Sequence, residues 1–475
     1  MEEFVIKEKA RQRWLIALTC AVSLMITFDY SSLNISISAI AQYFGVKVGV
    51  AAWLPTVYLL IITSSLLGFG KLGDIIGYKK VYVMGLSVFC LGGFLCAVSP
   101  SFNLLLAARS LQSFGQAMYS PICIAMLTTF LPADMKGKAL GLYATFQGLG
   151  LAIGPAAGGF INSYFSWRGN FLIAVPVSLL IIFGAAKIIP SRQAKAEDKR
   201  FDFFGAVLLF IALAALLYAV NSGVKMGWSN PLIISCGVIS LASFIIFFLL
   251  EKRISYPLLD LKLFQNRDFT FSVSASFLGL LLNMGMIFLF PFYLQMLKGL
   301  DITKAGLVMV CPSIMMMLLA PFSGSLSDRI GSRKVCSFGM VLVIVAFGLF
   351  SFLTLNSSLL FIVLALLCLG TGMGFFIAPN NKQVMVHAPQ GKQGVASGVY
   401  KICLNAGSSI GIAVFMLVLA QVVLFDVAKM NLMLSDVRSH SDVIMSGFRG
   451  AFIFGLIIAV INLIFCVLSK DKRLE

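Results

Sequence analysis

The sequence predicts an all-α integral membrane protein with fourteen spanning helices, arranged as two six-helix bundles separated by an inserted pair. Three observations carry that prediction. The chain has 475 residues, of which 59% are hydrophobic and only 12% charged, with a mean hydropathy of +0.97. A soluble chain carries about a quarter charged residues to wet its surface. The apolar residues gather into fourteen long stretches, each near the roughly 20 residues a spanning helix needs. Finally, one loop sequence occurs twice, at matching places among the stretches. This composition excludes a soluble enzyme, a secreted disulfide scaffold and a disordered chain.

Taken in order, the stretches run approximately over 14–39, 50–70, 80–99, 102–123, 138–163, 168–189, 203–221, 231–250, 268–297, 303–325, 335–355, 357–379, 394–420 and 448–469. The first follows a charged run from Met1 to Arg13 and is long enough to span, which differs from a cleavable leader. The fourth contains Arg109 and the thirteenth Lys401. The runs are long and do not alternate, which excludes a β-barrel.

The net charge of +17 could point to nucleic acid, but its distribution points to topology. Of 36 basic residues, 26 fall on one side of the predicted spans, at the termini and in every second connection. Basic loops stay in the cytoplasm, so both termini are expected there, in a cell (inner) membrane, with no nucleic-acid partner. All ten cysteines lie in apolar stretches and read as small buried hydrophobes. His387 and His440 read as separate loop residues, so neither a metal nor another cofactor is expected.

The repeat is Gly70-Lys-Leu-Gly-Asp-Ile-Ile-Gly-Tyr-Lys-Lys-Val81 against Gly324-Ser-Leu-Ser-Asp-Arg-Ile-Gly-Ser-Arg-Lys-Val335, identical at seven of twelve positions. It joins spans 2 and 3, then spans 10 and 11. A second echo links Gly141-Leu-Tyr143, Gly150 and Gly154 in span 5 to Gly398-Val-Tyr400, Gly407 and Gly411 in span 13. Spans 1–6 and 9–14 therefore form homologous halves, with spans 7 and 8 inserted. The expected boundaries are 1–190 for the first bundle, 191–262 for a cytoplasmic linker and the inserted pair, and 263–475 for the second bundle. Two such bundles around a central site suit alternating access. In the loops, Gly70 and Gly77 permit tight turning, and Asp74 and Asp328 can accept from a cation or from the free N–H groups of a helix start. Lys80 and Arg333 flank them. A purely topological role for these residues is the plainer alternative.

Several of these segments carry a family resemblance. Gly70 to Lys80 resembles the loop signature of the major facilitator superfamily. Arg109-Ser-Leu-Gln112-Ser-Phe-Gly115 is similar to its fourth-helix motif, with Ser113 where glycine is usual. Gly150-Leu-Ala-Ile-Gly154-Pro155-Ala-Ala-Gly158-Gly159 resembles the fifth-helix motif of exporters that exchange substrate for another ion. Phe28-Asp29-Tyr-Ser-Ser-Leu-Asn34 resembles the first-helix motif of the fourteen-helix drug/proton antiporter family, although the usual proline near Ala39 is missing. Trp167-Arg168, Phe201-Asp202-Phe-Phe-Gly205 and Pro257 to Arg267 are similar to the same pattern. The resemblance implies a major facilitator fold and proton-driven efflux of drugs, often hydrophobic cations.

Among individual residues, Asp29 is the acid lying well inside a span. A carboxylate there costs about 2.5–3.5 kcal/mol on insertion scales, so it must be paired, wetted or protonated. Ser32 and Ser36 share its helix face and suggest a wet stripe. Arg109, Gln112, Gln116 and Ser120 make a polar stripe on span 4. Arg109 is expected to regulate a proton on Asp29, the alternative being a static lock. Lys401 stands with Asn405 and Ser408 on span 13. It could snorkel to the interface or face the cavity, where it would favour anionic or zwitterionic cargo. The Gly150, Gly154, Gly158 ridge lets span 5 pack closely on a neighbour, and Pro155 permits a bend. The expected partners are a small-molecule substrate, protons and the lipid bilayer, with the chain acting as a monomer. The leading reading is a proton-coupled exporter of drugs or other amphipathic molecules; the alternative is a proton-coupled transporter of an anionic or zwitterionic metabolite.

Overall fold

The computed structural model describes residues 5–51, 53–190, 200–254, 256–300, 302–389, 391–429 and 441–471. Its α-helices are α1 (Lys9–Phe44), α2 (Val48–Ala51), α3 (Trp53–Ile76), α4 (Tyr78–Val98), α5 (Phe102–Phe130), α6 (Lys136–Leu172), α7 (Ala174–Ile188), α8 (Phe203–Met226), α9 (Pro231–Glu251), α10 (Arg267–Phe292), α11 (Ile302–Ile330), α12 (Ser332–Ser351), α13 (Leu359–His387), α14 (Gln393–Lys429) and α15 (Ser441–Leu468). No strand occurs among the described residues. Apart from the single turn α2, the helices correspond one for one to the fourteen apolar stretches.

Twelve stretches among the described residues are long and apolar enough to cross a membrane. The two remaining segments are α5 and the first part of α6. Both are helices of the interior: α5 carries Arg109, Gln112, Ser113, Gln116 and Ser120, all buried, and α6 is rich in glycine. Within α6 the backbone leaves the helical region at Ser166 (φ 64°), and the candidate span Ala157–Ile188 straddles that bend and joins the end of α6 to α7. Pro155 lies inside a continuous helical run, and its side chain is outside the described part.

The repeat in sequence is a repeat in packing. α6 lies on α1 and α14 lies on α10. In each pair glycines form the contact, because a Cβ at Gly150 or Gly158 would strike Thr27 or Ser32 of α1, and one at Gly407 or Gly411 would strike Phe277 or Leu281 of α10. Small residues let backbones approach where lipid supplies no hydrophobic drive. α5 seats on α4 through Gly85, Gly92 and Gly115, and α13 seats on α12 through Gly339 and Gly372. One apolar core takes its residues chiefly from the first six crossings, and a second comes entirely from α10–α15.

The two sets of helices meet along α3–α14 and α6–α11. The inserted pair α8–α9 leans on the first set, where Trp53 stacks on Tyr218 at 5.6 Å and Phe114 on Phe210 at 6.2 Å. α9 turns Leu232, Ile234, Val238, Leu241, Ile245 and Leu249 outward, a surface suited to lipid rather than water.

Two sequence expectations change, and residues 430–440 lie outside the described part. His387 is not a loop residue: it closes α13, buried, with Nδ1 2.8 Å from the Gln383 carbonyl. Lys382, one of the 26 basic residues expected in the termini and connections of one side, sits on α13 and is buried. Residues 191–199 of the expected linker and His440 also lie outside the described part.

Candidate functional site

Asp29 of α1 meets α5 in the interior of the first set of helices. Arg109 Nη1 donates to Asp29 Oδ2 at 2.8 Å and to Gln112 Oε1 at 2.6 Å, and Gln112 Nε2 donates to Asp29 Oδ1 at 3.3 Å. Both carboxylate oxygens are thus occupied. The Arg109 and Asp29 side chains are 0% and 2% exposed. The guanidinium lies 3.7 Å from the Tyr58 ring centroid and 5.6 Å from that of Phe171, so aromatic faces replace water around the charge. The Tyr58 hydroxyl donates to Gln116. The polar stripe on α5 and the lone acid on α1 are therefore one cluster, with Tyr58 as a member that no sequence pattern distinguished from other aromatic residues in apolar helices. Two Arg109 nitrogens, Nε and Nη2, have no hydrogen-bond partner.

Ser32 and Ser36 are placed differently from a wet stripe. Ser32 packs beneath Gly158 in the α1–α6 seam. Ser36 accepts from Asn170 Nδ2 at 2.7 Å, and both serines are buried. Helical periodicity put them on the face of Asp29, but α6 covers that face because its glycines leave room for α1. The Gly150, Gly154 and Gly158 ridge is that seam.

The repeated loops sit at the two crossings between the sets. Asp74, near the end of α3, accepts from the backbone N–H groups of Gly394 and Val395 at 2.8 and 2.9 Å, and from the Tyr78 hydroxyl at 2.7 Å. Asp328, near the end of α11, accepts from the N–H groups of Gly137 and Lys138 at 3.0 and 3.1 Å. Each aspartate thereby satisfies free donors in the first turn of a helix from the opposite set, where the helix dipole also favours negative charge. The two sites differ in their third partner: Lys382 Nζ lies 2.7 Å from Asp328, while Asp74 has the neutral Tyr78. The pairing of Lys382 had no signal in the sequence beyond Asn380-Asn381-Lys382, a polar run at the end of an apolar helix. Lys80 is exposed, and Arg333 contributes its backbone N–H to Asp471 at 3.0 Å. Gly77 and Gly331 turn the chain after each aspartate with φ of 99° and 94°, a left-handed region that favours glycine. The backbones nearly touch at these crossings, since a Cβ on Gly70 would lie 2.3 Å from the Gly394 carbonyl oxygen and one on Gly324 would lie 2.2 Å from that of Gly137.

Further in along the same crossings, Ser397 donates to the Pro121 carbonyl at 2.8 Å and Lys401 Nζ to the Tyr143 hydroxyl at 3.0 Å. Asn405 Nδ2 donates to Thr63 Oγ1 at 2.9 Å, and Thr145 to the Met317 carbonyl at 3.0 Å. Every described hydrogen bond between the two sets lies between the helix middles and the basic ends. The structure is closed at that end. Lys401 and Asn405 are thus brought to the boundary between the sets, each against a different helix of the first, and Lys401 does not extend toward the membrane surface.

Paired helical bundles meeting at one end, with a buried ion pair inside one bundle, define a multi-pass membrane transporter. A family model described as Major Facilitator Superfamily matches residues 19–412, and the chain belongs to that family. It is 31% identical to the riboflavin transporter RibZ of Clostridioides difficile over 86% of this chain and 89% of that protein. It is 28% identical to the multidrug resistance protein Stp of Mycobacterium tuberculosis over 83% of this chain and 74% of that protein. The human organic anion transporter MFSD10 (TETRAN) shares the fold, with a TM-score of 0.66 at 14% identity over 96% of this chain and 99% of that chain.

Proposed function

We propose that this protein is a proton-coupled exporter of drugs or other amphipathic small molecules, of the fourteen-helix drug/proton antiporter type, working by alternating access. The observation that carries the reading is the buried Asp29–Arg109–Gln112 cluster. A carboxylate deep in an apolar bundle is retained where it exchanges a proton or a partner. In the state described, Arg109 and Gln112 occupy both of its oxygens and the pair is sealed from solvent. Release of Arg109 would leave an uncompensated buried carboxylate, which takes up a proton instead. One ion pair thus links proton occupancy to helix arrangement.

Residues 1–190 and 263–475 act as the moving halves, and residues 191–262 supply the inserted pair. With the basic ends in the cytoplasm, Asp74 and Asp328 are the latches of a cytoplasmic gate, and the closed crossings correspond to a state open outward. The protein works as a monomer. One relative is named for riboflavin and another for multidrug resistance, which supports a small organic cargo.

The test is proton release from purified protein on addition of ethidium, rhodamine 123 or carboxyfluorescein, compared with Asp29→Asn. Wild type is expected to release protons with at least one dye, and Asp29→Asn to bind that dye without release. Unchanged release with unchanged pH dependence in Asp29→Asn would sink the reading.

A further inference from the structure

Four basic residues are buried among the described residues: Arg109, Lys136, Lys382 and Lys401. Arg109 and Lys382 carry carboxylate partners. Lys136 opens α6 at the basic edge. Lys401 is unlike these. It enters from α14, crosses the boundary between the halves, and ends on the Tyr143 hydroxyl of α6 at 3.0 Å, with the ammonium 5.3 Å from the Tyr143 ring centroid. Cys123 of α5 is a further neighbour. No described acidic residue pairs with it.

An ammonium withdrawn from water with only a phenol and a thiol beside it is poorly compensated. This arrangement exists only while the basic ends are closed. Parting α14 from α3 and α6 breaks the Lys401–Tyr143 bond, together with Ser397–Pro121 and Asn405–Thr63, and leaves Lys401 on the wall of the opening. Closure must bury the ammonium again. A ligand shifts such an equilibrium only through different affinities for the two states. An acidic group on the cargo does so here, because its attraction to the ammonium strengthens as water leaves. A cationic group at the same place would oppose closure through like-charge repulsion.

We propose that Lys401 is the cargo-recognising cation of this transporter, with Tyr143 holding it when no cargo is bound, and that the cargo it selects is an amphipathic molecule bearing a carboxylate or comparably acidic group. The proposal rests on the export reading above and narrows it to acidic cargo. Asn405, one turn along α14 and bonded to Thr63, is a neutral donor on the same wall.

The test uses two dyes with the same xanthene body and opposite charge, anionic carboxyfluorescein and cationic rhodamine 123. Binding to the purified full chain in nanodiscs is read by fluorescence anisotropy. Wild type is expected to bind carboxyfluorescein more tightly than rhodamine 123. Lys401→Gln should weaken carboxyfluorescein roughly tenfold or more, the loss of one charge-assisted contact, and leave rhodamine 123 unchanged or tighter. Tyr143→Phe removes the competing phenol but keeps the ammonium, so carboxyfluorescein binding should persist or tighten. The wild-type preference for the anionic dye tests the proposal even where Lys401→Gln folds poorly, and equal or reversed preference would overturn it. Equal weakening of both dyes in Lys401→Gln, no change for carboxyfluorescein, or its loss in Tyr143→Phe would overturn the proposal. Proton release in Asp29→Asn separates the two failures, because persistent coupling there defeats the proton-export reading whatever the dye selectivity at Lys401.

Discussion

Arg109 and Asp29 are nearly sealed from solvent, and in such a place the energetics of breaking a pair differ from those of deleting it. Removing one partner strands the other charge and costs about 3–5 kcal/mol, whereas replacing both with apolar groups can be nearly neutral. Asp29→Ala and Arg109→Met should therefore each lower the melting temperature strongly. The double substitution should lose much less than the two losses added together, which a double-mutant cycle would read directly. Additive losses would mean that the two groups are not coupled. Asp29→Asn is milder because its side-chain oxygen still accepts from Arg109, so it is the variant for functional work. The sequence already marked Asp29 and Arg109 through the insertion penalty each carries. It did not mark Tyr58, whose ring covers the guanidinium, because an aromatic residue in an apolar helix has no local signature of what it touches.

Among the elements, α14 and α6 carry the proposed gate. Both begin at the basic end with a glycine near the N-terminus, and both give their first free N–H groups to an aspartate of the opposite half. A Cβ on Gly394 would lie 2.2 Å from the Gly70 carbonyl oxygen, and one on Gly137 would lie 2.3 Å from that of Gly324. Because backbone cannot yield as a side-chain tip can, Gly394→Ala and Gly137→Ala should force the basic ends apart. Spin labels on the basic ends of α3 and α14 should then report longer distances. Gly237→Ala on α9, where nothing lies within 4 Å, should leave the distances unchanged and serves as the control. The internal repeat made the loops legible as a pair, and the free donors of a helix start were a foreseeable partner for the aspartates. That the donors come from α14 and α6 depends on the crossings themselves. The seam serines illustrate the converse: periodicity gave the correct face for Ser32 and Ser36, but the neighbouring helix decided whether that face was wet.

For the whole molecule, the inserted pair is tied back to the start of α14 through the connection after α9. Asp260 lies there and pairs with Lys392, just ahead of α14, at 2.7 Å. Partial burial pushes the Asp260 carboxyl up, but the Lys392 hydrogen bond and charge, with the Lys262 N–H, outweigh it and hold it below its usual value of 3.8. A carboxyl depressed in the folded state contributes stability above its unfolded pKa and loses it as pH falls through the folded one. Asp260→Asn should therefore lower the melting temperature modestly at neutral pH, and the difference from wild type should shrink as pH drops below about 4. A difference constant down to acid pH would show that the charge of Asp260 is not what matters.

By itself the amino-acid order determined the fourteen helices, the duplication and the few ionisable residues retained inside apolar segments. The helices and the buried ionisable residues are local features, since hydrophobic run length and insertion cost are summed over neighbours in the chain, and the duplication shows when the chain is compared with itself. The pairing of Arg109 with Asp29 was legible in the sequence, but only the tertiary structure decided the partners of the other buried groups: the start of α14 for Asp74, Lys382 for Asp328, and a neutral phenol for Lys401. These partners lie far apart along the chain and come together because glycine-lined helices approach closely enough to exclude water. Once water is excluded, a buried polar group has only the protein to supply its partner.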